Sequence, residues 1–205
     1  VEIAISNYLF KFARPNLEKM SLVEYNVEIE TIANSKRNEL MWNADRSHNA
    51  IIMKEIFRHS NEIDMLCGEG SLFRTSFAEK VDKEVTEGDY NPMQPLYDQI
   101  THFLNRGGKL SIILEKKEHS FIEDLATNIS PLIKDKIAEG QVLVYKLDSE
   151  LKPEFHFSIG DDNKYRRELG AEEHSAFANF NDTKNTEALK KQFQSLLLSS
   201  HKIIN

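Results

Sequence analysis

Apolar residues recur at helical spacing in five stretches of the chain after residue 46. A helix that buries one face repeats its apolar side chains every three or four residues. Pro131 lies inside the fourth stretch, and because proline lacks an N–H donor we expect a break near Ser130. The predicted helices carry their stripes within residues 50–57, 71–85, 96–104, 121–137 and 188–197.

Short apolar runs between these helices predict six strands. Asp161, Asp162 and Asn163 predict a tight turn between two of them, since Asp and Asn side chains hydrogen-bond to the nearby backbone. Helices alternate with the first three strands, and strands then follow one another directly, which predicts an α/β fold with a mixed sheet flanked by helices. The predicted strands are 62–67, 109–114, 142–145, 155–159, 165–169 and 176–180.

The first 46 residues carry a weaker pattern. Leu9 to Ala13 look helical, whereas apolar and polar residues alternate from Val23 to Ile29. The alternation favours a strand, while the glutamates between the apolar residues favour a helix. We predict that residues 1–46 are an N-terminal arm or connector and that residues 47–205 are the α/β domain.

Composition narrows the function classes. The net charge of −7 excludes a positive field over the whole protein that would attract nucleic acid or anionic lipid. A local basic patch is still compatible with this charge. The single cysteine, Cys67, excludes an internal disulfide framework and favours a reducing compartment. No apolar run reaches the roughly 18 residues that a membrane-spanning helix needs. We therefore expect a cytoplasmic protein with no membrane span.

From residue 47 to 205 the succession of elements resembles one half of a phospholipase D-like domain. The stretch FLNRGGKLSIIL (Phe103–Leu114) is similar to that superfamily's helix, glycine turn and strand. FHFSIGDDNKYRREL (Phe155–Leu169) is similar to its motif strand and hairpin, and AFANFND (Ala176–Asp182) to the strand that follows. The resemblance implies the same mixed α/β fold with the functional site beside the motif strand.

The superfamily's signature is a histidine, one residue, a lysine, four residues and an aspartate. His156 matches the histidine, but Ser158 stands at the lysine position and Asn163 at the aspartate position. In that family the histidine attacks a phosphodiester phosphorus, and the lysine stabilises charge on the phosphoryl oxygens. Losing one such donor costs on the order of 10²–10³ in rate. The resemblance thus implies a degenerate site.

His156 is the candidate catalytic residue, and its alternative role is a structural histidine on an inward strand face. The candidate binding residues also have structural alternatives. Ser158 is then a small strand residue, and Asn179 and Asn181 are strand-end or helix-capping residues. Lys164 and Arg166 are then part of a solvated hairpin. No metal ion or cofactor is expected, because the histidines lack ligand spacing and paired aspartates at a turn are typical turn formers. The candidate binding residues are Ser158, Lys164, Arg166, Asn179 and Asn181.

Three functions stay open. The first is a non-catalytic binding or sensing module in a larger bacterial protein, with a nucleic acid or a phosphate-containing ligand as its partner. The second is a phosphodiesterase or nuclease assembled as a homodimer, because active members of the superfamily bring two motifs together and this chain has one. The third is a structural dimerisation domain. The substituted motif and the acidic charge favour the first.

Overall fold

A computed structural model describes residues 20–86, 88–116, 120–148, 150–170 and 175–203. These residues form an eight-stranded mixed sheet with helices on both faces, which confirms the predicted α/β fold. The strands are β1 (Met41–Asn43), β2 (Glu62–Cys67), β3 (Lys109–Leu114), β4 (Val142–Leu147), β5 (Phe157–Gly160), β6 (Lys164–Glu168), β7 (Ala176–Asn179) and β8 (Ser200–Lys202). The helices are α1 (Leu22–Asn34), α2 (Arg46–Arg58), α3 (Thr75–Glu84), α4 (Met93–Asn105), α5 (Phe121–Asn128), α6 (Ile133–Ala138) and α7 (Thr183–Leu198).

The sheet joins a parallel half to an antiparallel half. Its strand order is β1-β7-β6-β5-β2-β3-β4-β8. The pairs β2–β3 and β3–β4 are parallel, and every other pair is antiparallel. The two halves meet where β5 pairs with β2. The fold therefore places β5, the strand that directly follows His156, beside the central parallel strands.

Each face of the sheet carries its own core, because successive side chains of a strand point to opposite faces. Phe157 and Ile159 of β5 pack with Phe193 of α7 on one face. Helices α1 to α6 pack on the other face. A Cβ added to Gly160 would lie 2.3 Å from Ser60 Oγ and 3.1 Å from Ile56 Cγ2. The alternate residues of β5, including Ser158, therefore face α2.

The predicted turn between β5 and β6 is present, and it anchors the hairpin. Asp161 adopts a positive φ of 49°, a conformation that Asp tolerates better than most residues. Its Oδ1 accepts hydrogen bonds from the backbone N–H groups of Asn61 and Glu62, at 2.8 and 3.1 Å. The turn thus ties the hairpin to the start of β2.

Residues 22–34 form a helix, so the strand favoured by the alternation from Val23 to Ile29 is wrong. Ser21 and Glu24 form a reciprocal capping box at its start. The helix buries Tyr25, Ile29 and Ile32 in the core at helical spacing. The helix predicted near Leu9–Ala13 lies outside the described residues, and the domain boundary at residue 46 stays a prediction.

The break predicted near Ser130 is confirmed, since α5 ends at Asn128 and α6 begins at Ile133. The helix expected over residues 71–85 is divided into a 3-10 turn at Ser71–Phe73 and α3. The short strands β1 and β8 were not predicted. Within the described ranges, no helix combines the length and the apolar character that crossing a membrane requires.

A buried lysine fastens α1 to α2. Lys54 is only 5% exposed. Its Nζ donates to Asn26 Oδ1 at 2.6 Å and to Glu30 Oε1 at 2.8 Å, both on α1. It also lies 3.2 Å from Oε1 of the fully buried Glu55. Arg58 Nη1 lies 3.6 Å from the other oxygen of Glu55, so Lys54 is the nearer of the two cations beside this carboxylate.

We predict that Lys54→Ala lowers the free energy of unfolding by about 3 kcal/mol or more, because it leaves a buried carboxylate without its nearest cation. Lys109→Ala is the matched control, since Lys109 pairs with Glu62 while both side chains are more than 60% exposed. Exposed pairs contribute less than about 1 kcal/mol. Urea unfolding monitored by circular dichroism measures both losses, and equal losses would contradict the role given to Lys54.

Candidate functional site

His156 lies between two carboxylates at the end of the sheet where β2, β3 and β6 finish. Its backbone C=O accepts a 2.9 Å hydrogen bond from the N–H of Glu168, the last residue of β6. On the side chain, Nδ1 lies 2.9 Å from Glu168 Oε2, and Nε2 lies 3.0 Å from Glu115 Oε2. Glu115 directly follows β3, and its N–H donates to the C=O of Cys67 at 2.8 Å. Both ring nitrogens are thus engaged.

This geometry determines the protonation state of the ring. A carboxylate only accepts hydrogen bonds, and a neutral imidazole has a single N–H. When both carboxyl groups are ionised, only the doubly protonated imidazolium donates to both of them. Burial alone lowers the pKa of His156, but the hydrogen bonds and charges of Glu168 and Glu115 outweigh it and raise that pKa above its ordinary value.

Arg166 adds a second cation to this cluster. It is 5% exposed, its Nη1 donates to Glu168 Oε1 at 3.3 Å, and its Nε donates to Asn43 Oδ1 at 2.9 Å. Burial raises the pKa of Glu168, but His156 and Arg166 outweigh burial and hold that pKa below its usual value. Two cations thus face two carboxylates, and the cluster has no net charge.

A narrow cleft opens beside the histidine, lined by Gly68, Asn49, Ser71 and Ser158 together with His156, Arg166 and Glu168. A Cβ at Gly68 would lie 3.2 Å from His156 Cε1, so glycine lets the backbone approach the ring closely. Burial and the charge of Glu168 raise the pKa of the Cys67 thiol to about 12, which disfavours the reactive thiolate. Among the described residues, no group of three or more His, Cys, Asp or Glu side chains could hold a metal ion.

The structure brings three of the six candidate residues together. His156, Ser158 and Arg166 line the cleft, and Ser158 is directly opposite Arg166 in the β5–β6 register. Ser158 is 4% exposed and brings no positive charge to the cleft.

Lys164, Asn179 and Asn181 lie at the other end of the antiparallel strands. Lys164 pairs with Gly160 in the hairpin, and its Nζ donates to Asp161 Oδ2 at 3.1 Å. Asn179 donates to the side chain of Asn38, and Asn181 donates to the C=O of Lys36. These contacts hold the segment before β1 against β7. The three residues thus lie apart from His156.

Sequence reasoning did not assign Glu168, Glu115 and Asn43 to the site. Glu168 had a usable signal: in a hairpin that turns at Asp161–Asn163, residues equidistant from Asp162 face each other, and these include His156 and Glu168. Glu115 follows a predicted strand, but nothing local joins it to His156, because β2 separates β3 from β5 in the sheet. Asn43 belongs to a three-residue strand that has no periodic signal.

No family model and no curated protein sequence matches this chain. Solved structures do. TrmBL2, an archaeal chromatin protein whose structure shows a novel mode of DNA binding, matches with a TM-score of 0.53 and 15% identity over 97% of this chain and 68% of its own. Nuc, a phospholipase D family member from Salmonella typhimurium, matches with a TM-score of 0.50 and 10% identity over 82% of this chain and 97% of its own. The chain has a phospholipase D-like fold.

We predict that the pKa of His156, followed by NMR titration of its ring C–H signals, lies above the ordinary value of 6.5. Glu168→Gln and Glu115→Gln each remove a charged acceptor, so each lowers this pKa. Glu62→Gln, at the opposite end of β2, is the matched control and leaves it unchanged.

The same shifts determine how stability depends on pH. Because the pKa of His156 is raised, its contribution to the free energy of unfolding is complete below about pH 6.5. That contribution is lost as the pH rises through the folded-state pKa. Because the pKa of Glu168 is lowered, its contribution to the free energy of unfolding is complete above about pH 4.5. That contribution is lost as the pH falls through the folded-state pKa. We therefore expect the difference in free energy of unfolding between the wild type and His156→Gln to be largest between pH 4.5 and 6.5. A difference that grows above pH 7 would contradict this.

Proposed function

We propose that this chain is a non-catalytic phospholipase D-like module that binds a ligand in the cleft beside His156 without cleaving it. The observation that carries this proposal is the contact of both ring nitrogens with carboxylates. A nucleophilic histidine attacks through a lone pair on a ring nitrogen. The imidazolium held by Glu168 and Glu115 has no such lone pair.

The charge distribution supports the same proposal. Phosphoryl transfer needs preorganised positive charge on the phosphoryl oxygens. Ser158 brings none, and the guanidinium of Arg166, which lines the cleft, is already hydrogen-bonded to Glu168 and Asn43. The carboxylate of Glu115 also lies 3.0 Å from Nε2 of His156, where a substrate approaching that nitrogen would have to pass. A phosphodiester would therefore meet a carboxylate at that atom.

A nucleic acid is the second candidate partner. TrmBL2 is a chromatin protein for which DNA binding is reported, and it matches along nearly the whole of this chain. At 15% identity this likeness concerns the fold, so DNA binding comes to this chain only as a proposal. Affinity for a DNA duplex that falls steeply with salt concentration would favour it, whereas no binding at low salt would exclude it.

We predict no turnover of bis(p-nitrophenyl) phosphate by the wild-type chain in the presence of EDTA, because the superfamily's chemistry needs no metal and the imidazolium is not nucleophilic. His156→Ala, checked for folding by circular dichroism, should give the same baseline. Turnover by the wild type that disappears in His156→Ala would overturn the non-catalytic proposal. A monomer in light scattering would exclude the homodimeric enzyme independently.

A further inference from the structure

A second cleft adjoins the one beside His156. We call the cleft beside His156 the inner cleft and its neighbour the outer cleft. The outer cleft contains about 570 Å³ of space open to solvent, and Asp45, Arg46, Phe77 and Lys80 line it. Asn49, Ser71, Arg166 and Glu168 line both clefts. The two clefts therefore adjoin each other beside α2 and α3, and together they are called the groove.

Asn49 carries an unsatisfied acceptor in the middle of this groove. Its Oδ1 is buried and has no hydrogen-bond partner among the described residues. A buried acceptor without a partner lowers stability, so native structures rarely retain one without a reason. Asn49 lines both clefts, and a half-turn about its soft χ2 torsion exchanges the positions of Oδ1 and Nδ2. Asn49 is therefore suited to accept a hydrogen bond from a ligand.

Lys80 carries an unpaired cation at the outer end. Its side chain is exposed on α3, and it makes no ion pair within the part of the chain that the structure describes. The neighbouring Arg46, by contrast, is paired with Glu84. The carboxylate of Asp45 also lines the outer cleft, and its Oδ1 accepts a hydrogen bond from the N–H of His48 at 2.9 Å. Lys80 is therefore the group that offers positive charge to an anion at the outer end. The inner end has no excess positive charge, because the charges of Arg166 and His156 are balanced by those of Glu168 and Glu115.

We propose that the groove binds a small acid that also carries hydrogen-bond donors, such as an amino acid or a hydroxylated phosphate ester. Its acidic group pairs with Lys80, and its ammonium or hydroxyl group donates to Asn49 Oδ1. The buried ring of Phe77 contacts the carbon chain between them. This inference rests on the proposed binding function, since the inner cleft is part of the groove.

The test measures binding to the full chain by calorimetry and thermal unfolding. L-serine and glycerol 3-phosphate carry both kinds of group, with a carboxylate and a phosphate respectively. Acetate and inorganic phosphate carry only the anion, and ethanolamine and glycerol carry only donors. We expect one-site binding and a raised unfolding midpoint with L-serine or glycerol 3-phosphate, and neither with the other four. Which of the two binds identifies the acidic group.

Variants locate the site. Asn49→Leu removes the acceptor and should weaken binding about tenfold, because it leaves a ligand donor unpaired. Lys80→Gln should weaken binding about three- to fivefold, as expected for an exposed ion pair. Lys83→Gln, a lysine on the same helix that does not line the groove, is the matched control and should bind like the wild type.

The apo stability of Asn49→Leu provides an independent readout. Replacing an unsatisfied buried acceptor by an apolar group should leave the unfolding midpoint unchanged or raise it while binding weakens. If leucine does not fit, Asn49→Ala replaces it, and Lys80→Gln tests the surface end without disturbing the core.

Equal binding of the single-group probes, no binding of any probe, or unchanged affinity in both variants would overturn the proposed ligand class. His156-dependent turnover of the phosphodiester would instead overturn the non-catalytic function. The two failures are thus distinguishable.

Discussion

The contact of His156 with Glu168 and Glu115 connects the two halves of the sheet. Glu115 follows the parallel strand β3, whereas His156 and Glu168 belong to the antiparallel hairpin. β2 lies between them, and Gly68 at its end leaves room for the imidazolium. At the opposite end of β2, Asp161 accepts hydrogen bonds from Asn61 and Glu62. The junction of the two halves is therefore tied at both ends, and each tie uses a side chain of the hairpin.

The same contact decides which chemistry the site can perform. A histidine with one carboxylate partner keeps a free ring nitrogen, while a histidine with two does not. The edge strand β1 contributes to this state from a distance, since Asn43 is fully buried and fixes Arg166 against Glu168. A buried network in which each charge has a partner is rigid and has one arrangement. This network supports the proposal that the site is preorganised for recognition rather than for nucleophilic attack.

The elements that sequence reasoning predicted are those with local signals. The central strands are apolar runs with turn residues around them, and the break at Pro131 follows from the missing N–H of proline. Residues 22–34 show why α1 was missed: Val23 and Val27 are about half exposed, yet they alternate with the buried Tyr25 and Ile29 and imitate a strand. Strands of three residues such as β1 and β8 have no period to detect. Glu115 reaches His156 through the strand order, which local patterns do not encode.

Helix α2 lines the proposed groove and also packs against α1 and the sheet. Lys54 fastens α2 to α1, and the absence of a side chain at Gly160 brings α2 close to the sheet, so the position of Asn49 is fixed from two sides. Helix α3 has fewer buried residues than α2: within the described structure they are Phe77 and Val81, and its Glu84 pairs with Arg46 of α2. Segments with few buried apolar contacts are the ones that open or shift most easily. A ligand that joins Asn49 to Lys80 would therefore restrain α3 against a fixed α2, and the position of α3 would report that the groove is occupied.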